Sequence, residues 1–175
     1  PKDVRSLRTP LKVADSVEMG HPSMALNTDR ISQITRSILT AMANVRGGEE
    51  LALQVMLGRR TVPYTVPRTS DPRQSGLSAW AVGTFQMPAD IHAGLQRRHS
   101  MHGFFTEVRI GAVAPNILRG KYLLEQVRGG FAMMEAHGAS IQLRQKDSLE
   151  QMQNLTRPRK WTHMLSSQEV SCLMG

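Results

Sequence analysis

The chain has 175 residues, enough to bury a real core as one domain with irregular insertions and too few for a multi-domain machine. Its net charge of +8 and pI near 10.5 point to polyanions, either nucleic acid or an anionic membrane surface, although an arginine-rich composition alone gives the same balance. A single cysteine, Cys172, excludes an internal disulfide framework and a cysteine-based zinc cluster, and it suits a reducing compartment. No apolar run is long enough to span a bilayer and no signal-peptide pattern opens the chain, so the reading places it in the cytoplasm, with any membrane association through parts outside this chain. Because the sequence opens on Pro1 and not on Met, it reads as a fragment of a longer protein.

Val4, Leu7, Leu11, Val13 and Val17 suggest extended pieces before Met24, interrupted by Pro10 and Pro22, and a first strand is expected there. Asn27, Thr28 and Asp29 are capping residues placed just before Ile31, Ile34, Ile38, Leu39, Met42 and Val45, which share one helical stripe. Gly47 and Gly48 end that helix. Leu51, Leu53, Val55 and Leu57 then alternate with Ala52, Gln54 and Met56 as a second strand.

Residues 58–101 differ in kind, with Pro63, Pro67, Pro72 and Pro88 spread among Gly, Ser, Thr and Arg. So long a connection is either a functional insertion or poorly ordered. Within it Trp80, Val82 and Phe85 are candidates to anchor a turn, and Ile91 to His99 a short helix.

Phe104, Thr106, Val108 and Ile110 fall on one side of an extended chain, with Phe105, Glu107 and Arg109 on the other. After the break at Gly111 to Pro115 the period changes. Ile117, Leu124, Val127, Phe131 and Met134, with small Gly120, form a helical face that Asn116 is placed to cap and Gly138 to stop. Ile141 and Leu143 resume the strand period. Residues 151–175 read as a basic linker followed by the start of a helix, announced by the capping box Ser166-Ser167-Gln168-Glu169 with Val170 and Leu173 behind it.

Two strand-helix-strand halves give the order βαββαβ. The expected fold is α+β, a ferredoxin-like sandwich over residues 1–150 with an insertion at 58–101 between the halves; a small mixed sheet with parallel crossovers is the runner-up. All of this requires Ile34, Val108 and Phe131 to share one interior.

No phosphate-binding P-loop, dinucleotide fingerprint, H-E-x-x-H or nucleophile elbow is present in the sequence. Arg119-Gly120-Lys121, the nearest approach to a P-loop, lies in the helical stripe, where a small residue serves close packing. His92, His99 and His102 are near in sequence and His99 and His102 are spaced to share a helical face, but no carboxylate or thiolate stands beside them at ligand spacing. Glu135 and His137 are a candidate acid and base at a helix end, where solvated side chains are the ordinary outcome. Met133 and Met134 read as core filler or as an adaptable groove. The reading therefore assigns no catalytic residue, cofactor or metal. Arg59, Arg60, Arg97, Arg98, Arg157, Arg159 and Lys160 are the candidate nucleic-acid contacts, placed in loops where they meet phosphates. His102-Gly103-Phe104-Phe105 carries a distant likeness to the aromatic strand of an RNA-recognition module.

The order of motifs resembles the region preceding the motor in actinobacterial type IV secretion and conjugation ATPases, the DNA-transfer coupling proteins of the FtsK/HerA-like superfamily. The resemblance runs through Asn27-Thr28-Asp29-Arg30-Ile31, Arg46-Gly47-Gly48-Glu49-Glu50-Leu51-Ala52-Leu53-Gln54-Val55, a variable insertion, and Gly103-Phe104-Phe105-Thr106-Glu107-Val108-Arg109-Ile110-Gly111. It continues with the helix after Ala114-Pro115, a short strand, and Leu165-Ser166-Ser167-Gln168-Glu169-Val170. It implies a non-catalytic accessory domain that positions or oligomerises a downstream motor and contacts DNA or the secretion machinery. The alternative from the residues themselves is a stand-alone nucleic-acid-binding module.

Overall fold

A computed structural model describes residues 10–19, 26–29, 31–68, 88–136, 140–145 and 148–174. The described residues are α+β: a five-strand antiparallel sheet with five helices. In chain order the elements are β1 (Val13–Met19), α1 (Ile31–Met42), β2 (Glu50–Thr61), α2 (Ala89–His99), β3 (Gly103–Val113), α3 (Ile117–Phe131), β4 (Ile141–Arg144), α4 (Ser148–Gln153), β5 (His163–Ser166) and α5 (Ser167–Met174). The strands run β2-β3-β1-β4, with β5 also paired to β3. β3 is thus the centre: β2 covers one edge along its length, and β1 and β5 share the other, β1 opposite residues 109–112 and β5 opposite 103–106.

One side chain sits at the junction of that division. β1 leaves β3 after Ser16 to pair with β4, which would strand the backbone groups of Val17 and Met19. His163 of β5 reaches the gap and its Nε2 serves one of the two groups at a time: protonated it donates to the Val17 carbonyl at 3.2 Å, unprotonated it accepts from the Met19 amide at 3.4 Å. Burial pushes the pKa of His163 down, against a smaller opposing effect of the Val17 hydrogen bond.

The period-two face of β3, Val108, Ile110 and Ala112, packs with Val17 and Met19 beneath α1, α3 and α5. Ile34, Val108 and Phe131 are each 0% exposed, so the three residues the hydrophobic rhythm depends on do meet in one interior. The Asn116 side chain caps α3 as expected, accepting from the Arg119 amide at 2.8 Å. Gly120 lets α3 approach β1: a Cβ there would come within 2.6 Å of Val13. The capping box at α5 is reciprocal, Ser166 N donating to Glu169 Oε2 at 2.7 Å and Glu169 N to Ser166 Oγ at 3.3 Å.

Several boundaries differ from expectation, each for a local reason. β2 continues through Gly58, Arg59 and Arg60 to Thr61, because an edge strand tolerates charged residues that a central one would not. The connection to β3 is correspondingly shorter, and α2 forms within it; Trp80, Val82 and Phe85 lie outside the described residues, as do His137 and Gly138. α3 ends at Phe131 in a short 3-10 turn through Met134 instead of running on. Leu39 and Ile117, assigned to apolar stripes, sit at the margins of their helices' buried faces and are both 60% exposed. Within 151–175, expected as a basic linker and the start of a helix, the helix is α5; the stretch before it is packed as well, since α4 covers the second face of the sheet with Met152 against Leu11, Ala14 and Val113, while Leu165, Val170, Cys172 and Leu173 belong to the main core. Among the described residues no helix is long and apolar enough to cross a membrane.

Candidate functional site

The second face of β3 carries Glu107 and Arg109, which alternation alone would leave facing water. They are 4% and 0% exposed. α4 and the loop after it close over them, and the pair gives that cover its anchorage. Arg109 donates from Nη1 to Gln54 Oε1 at 3.3 Å and to the Thr156 carbonyl at 3.0 Å, and from Nη2 to Gln151 Oε1 at 2.7 Å. Its Nε faces Glu107 Oε1 at 3.5 Å. Glu107 in turn accepts from Ser16 Oγ at 3.0 Å and Thr162 Oγ1 at 2.7 Å. Burial lowers the Arg109 pKa, and Glu107 works against that shift. One guanidinium therefore ties the edge strand β2, the helix α4 and the loop beyond it into a single unit.

The loop's first turn is strained. The Thr156 amide donates to the Gln151 carbonyl at 2.8 Å and the Leu155 amide to the Met152 carbonyl at 3.4 Å, the pattern that closes a helix through a left-handed residue. That residue is Leu155, at φ 51°, where glycine is usual and a branched side chain costs about 1 to 2 kcal/mol. The Arg109 bond to the Thr156 carbonyl holds the turn in place.

Further along, the indole of Trp161 lies on Gly58 of β2. A Cβ at Gly58 would sit 2.6 Å from the ring, so glycine is what allows an aromatic plane to rest on the strand. Between loop and strand opens a cleft of about 540 Å³. Gln54 and Met56 line its sheet side, Leu155 and Trp161 its loop side, and Arg59 and Arg157 bring charge from β2 and the loop respectively. Both arginines are exposed, and no carboxylate contributes to the lining. Among the described residues neither takes part in an ion pair.

The sequence-predicted cations separate into groups. Arg59 and Arg60 are on a strand and Arg97 and Arg98 on α2, not in loops as expected; Arg157, Arg159 and Lys160 are exposed in the loop between α4 and β5. Arg60 stacks its donors on the His102 ring at 3.0 to 3.2 Å. Arg97 is exposed and reaches Asp29 at 3.8 Å. Arg98 is a correction: it is 3% exposed and lies 3.2 Å from Glu169, whose other oxygen accepts from the Leu26 amide, so it joins α2 to α5 and does not reach solvent. The structure thus brings Arg59 and Arg157 together and leaves Arg97 and Arg98 elsewhere.

The other candidates have structural employment. His92 Nε2 meets the Val66 carbonyl at 2.9 Å, the His99 ring packs on Tyr64 at 4.4 Å, and among the described residues no cluster of three metal-ligating side chains occurs. Glu135 accepts from the Ile141 amide at 2.8 Å. Met134 is core, while Met133 is 39% exposed. A larger groove of about 1120 Å³ follows the outer face of α1, but Arg36 and Asp29 oppose one another in its lining and nothing in it is aromatic.

Trp161, Leu155 and Gln54 are not among the site candidates that the sequence offers. The readable signals were an isolated glycine inside a strand pattern, which marks a close approach, and an aromatic directly after the basic run Arg157-Pro158-Arg159-Lys160. Comparison of the chain with protein-family models, curated proteins and solved structures finds no match.

Proposed function

We propose that this chain is a non-catalytic, nucleic-acid-contacting accessory domain, serving a DNA-transfer ATPase of the kind its motif order resembles. The observation that carries the nucleic-acid part is the cleft, where Arg59 and Arg157 stand beside Trp161 with no carboxylate among the lining residues. Such a site neutralises phosphates and releases their counterions, while an aromatic plane offers a surface for a base. Arg159 and Lys160, exposed on the same loop, extend the positive field.

The accessory role, positioning or oligomerising a motor and meeting the secretion machinery, is supported by the order of motifs. A ferredoxin-like assignment is supported by the two crossovers: β1-α1-β2 skips over β3, and β3-α3-β4 skips over β1. The fifth strand beside β3 departs from that four-strand pattern. A stand-alone nucleic-acid-binding module is the second reading, and the same cleft favours it because the cleft needs no motor to act.

Anisotropy of a labelled oligonucleotide between about 50 and 200 mM salt tests the shared part. Affinity should fall steeply with salt, and the Arg59→Gln/Arg157→Gln variant should flatten the log-log slope by about 1.4, or ~0.7 per lost phosphate contact. Binding indifferent to salt and to both arginines refutes it. Sedimentation then separates the two readings: self-association, or docking to a DNA-transfer motor, favours the accessory domain, whereas an inert monomer that still binds DNA favours the module.

A further inference from the structure

We propose that the cleft selects single-stranded nucleic acid over duplex, with one base stacked on the Trp161 indole while Arg59 and Arg157 hold the flanking phosphates. This rests on the nucleic-acid reading above and names the form of the ligand. The argument starts from the floor of the cleft. Trp161 is already seated on Gly58, so its ring is fixed before any ligand arrives and little freedom remains to be lost on stacking. Its neighbours in the lining, Met56 and Leu155, are apolar, and Gln54, whose Oε1 accepts from Arg109, offers its amide NH2 to a base edge. Leu155, held in a left-handed conformation, contributes to the lining from the loop side. The charged groups are the two exposed arginines.

A concave, half-apolar site with an aromatic plane and cations around it suits a nucleotide whose base is free to enter. Duplex conceals its base faces in the stack and presents its backbone and the base edges in its grooves, none of which offers a ring face to Trp161. Duplex therefore meets the arginines alone and loses the stacking contribution. The shared chemistry is a single strand, DNA or RNA.

The test uses the full chain in a Trp80→Phe background, so that Trp161 is the one tryptophan left. Oligothymidylate, oligouridylate and a DNA hairpin of equal charge are titrated at one salt concentration, with Trp161 fluorescence and anisotropy read together. A single strand should quench Trp161 and bind tighter than the hairpin by about 5- to 150-fold, the worth of one stacked base. The tighter of the two single strands then identifies DNA or RNA. Trp161→Leu should lose that preference and keep the hairpin affinity, and Trp161→Phe, which preserves an aromatic plane on Gly58, should retain most of it. Equal affinity for strand and hairpin with no quenching overturns this inference while leaving a salt-sensitive surface intact. Failure of all three to bind overturns the nucleic-acid reading itself.

Discussion

Replacing Arg109 with methionine isolates the device that builds the cleft. The side chain is 0% exposed and does not line the cleft, yet its guanidinium bonds Gln54, Gln151 and the Thr156 carbonyl and faces Glu107. Methionine keeps much of the apolar volume and removes every donor. Deleting one partner of a buried ion pair costs about 3 to 5 kcal/mol, because the remaining carboxylate stays desolvated. Glu107 keeps the hydroxyls of Ser16 and Thr162, which places the expected loss at the lower end, near 3 kcal/mol. For a chain of this size that is a fall in melting temperature of roughly 6 to 12 °C. Urea denaturation of wild type, Arg109→Met, Glu107→Leu and the double variant completes a cycle. The double variant should be more stable than the sum of the singles predicts, by about 1 to 3 kcal/mol, since it leaves no unpaired charge. Oligonucleotide affinity should fall in Arg109→Met although the residue cannot touch the ligand, because the Leu155–Thr156 turn loses its anchor. A loss below about 1 kcal/mol, or additive singles, would refute the assignment of Arg109 as the tie between β2, α4 and the loop.

Three further outcomes follow from individual side chains. Burial lowers the pKa of His163 below the ordinary 6.5, so the unfolded chain takes up the proton first and stability should decline as pH falls below about 6.5; denaturation midpoints of His163→Gln should show a shallower slope, with His99, whose pKa burial also lowers, carrying the remainder, and an unchanged slope would contradict the buried ring. Glu49, hydrogen-bonded by the Arg119 side chain and the Arg46 amide, has its pKa lowered from 4.5 to about 2, so its contribution is complete above 4.5 and lost as pH falls toward 2. In Glu49→Gln the acid limb between those values should be shallower. Leu155→Gly should relieve about 1 to 2 kcal/mol of left-handed strain against about 0.5 to 1 kcal/mol of added chain entropy, leaving thermal stability equal or slightly higher. The same variant should bind oligonucleotide less tightly, since Leu155 lines the cleft; a large destabilisation would mean the turn is not strained.

What the sequence conveyed was the helix-facing side of the sheet. The Ile34, Val108 and Phe131 interior, the Asn116 cap and the Ser166–Glu169 box all follow from local periodicity and capping chemistry, which act over a few residues. The second face was illegible for a physical reason. Glu107 and Arg109 look like a solvated face until α4 and its loop, some 40 residues later in the chain, supply the partners that make their burial tolerable. Arg98 misled in the same way, because a cation at a helix end looks solvated and nothing in its neighbourhood announces Glu169. The cleft itself is made by a long-range contact between Gly58 and Trp161, for which the local traces are a glycine interrupting an alternating strand and an aromatic following a basic run, neither of which names the other.

The most direct test is to locate the nucleic acid on the chain. Photocrosslinking of a bound oligonucleotide, followed by mass spectrometry of the adducted peptides, should mark β2 around Gln54 to Arg59 and the loop from Leu155 to Trp161 together. Crosslinks confined to the outer face of α1 or to α2 around Arg97 would contradict the account.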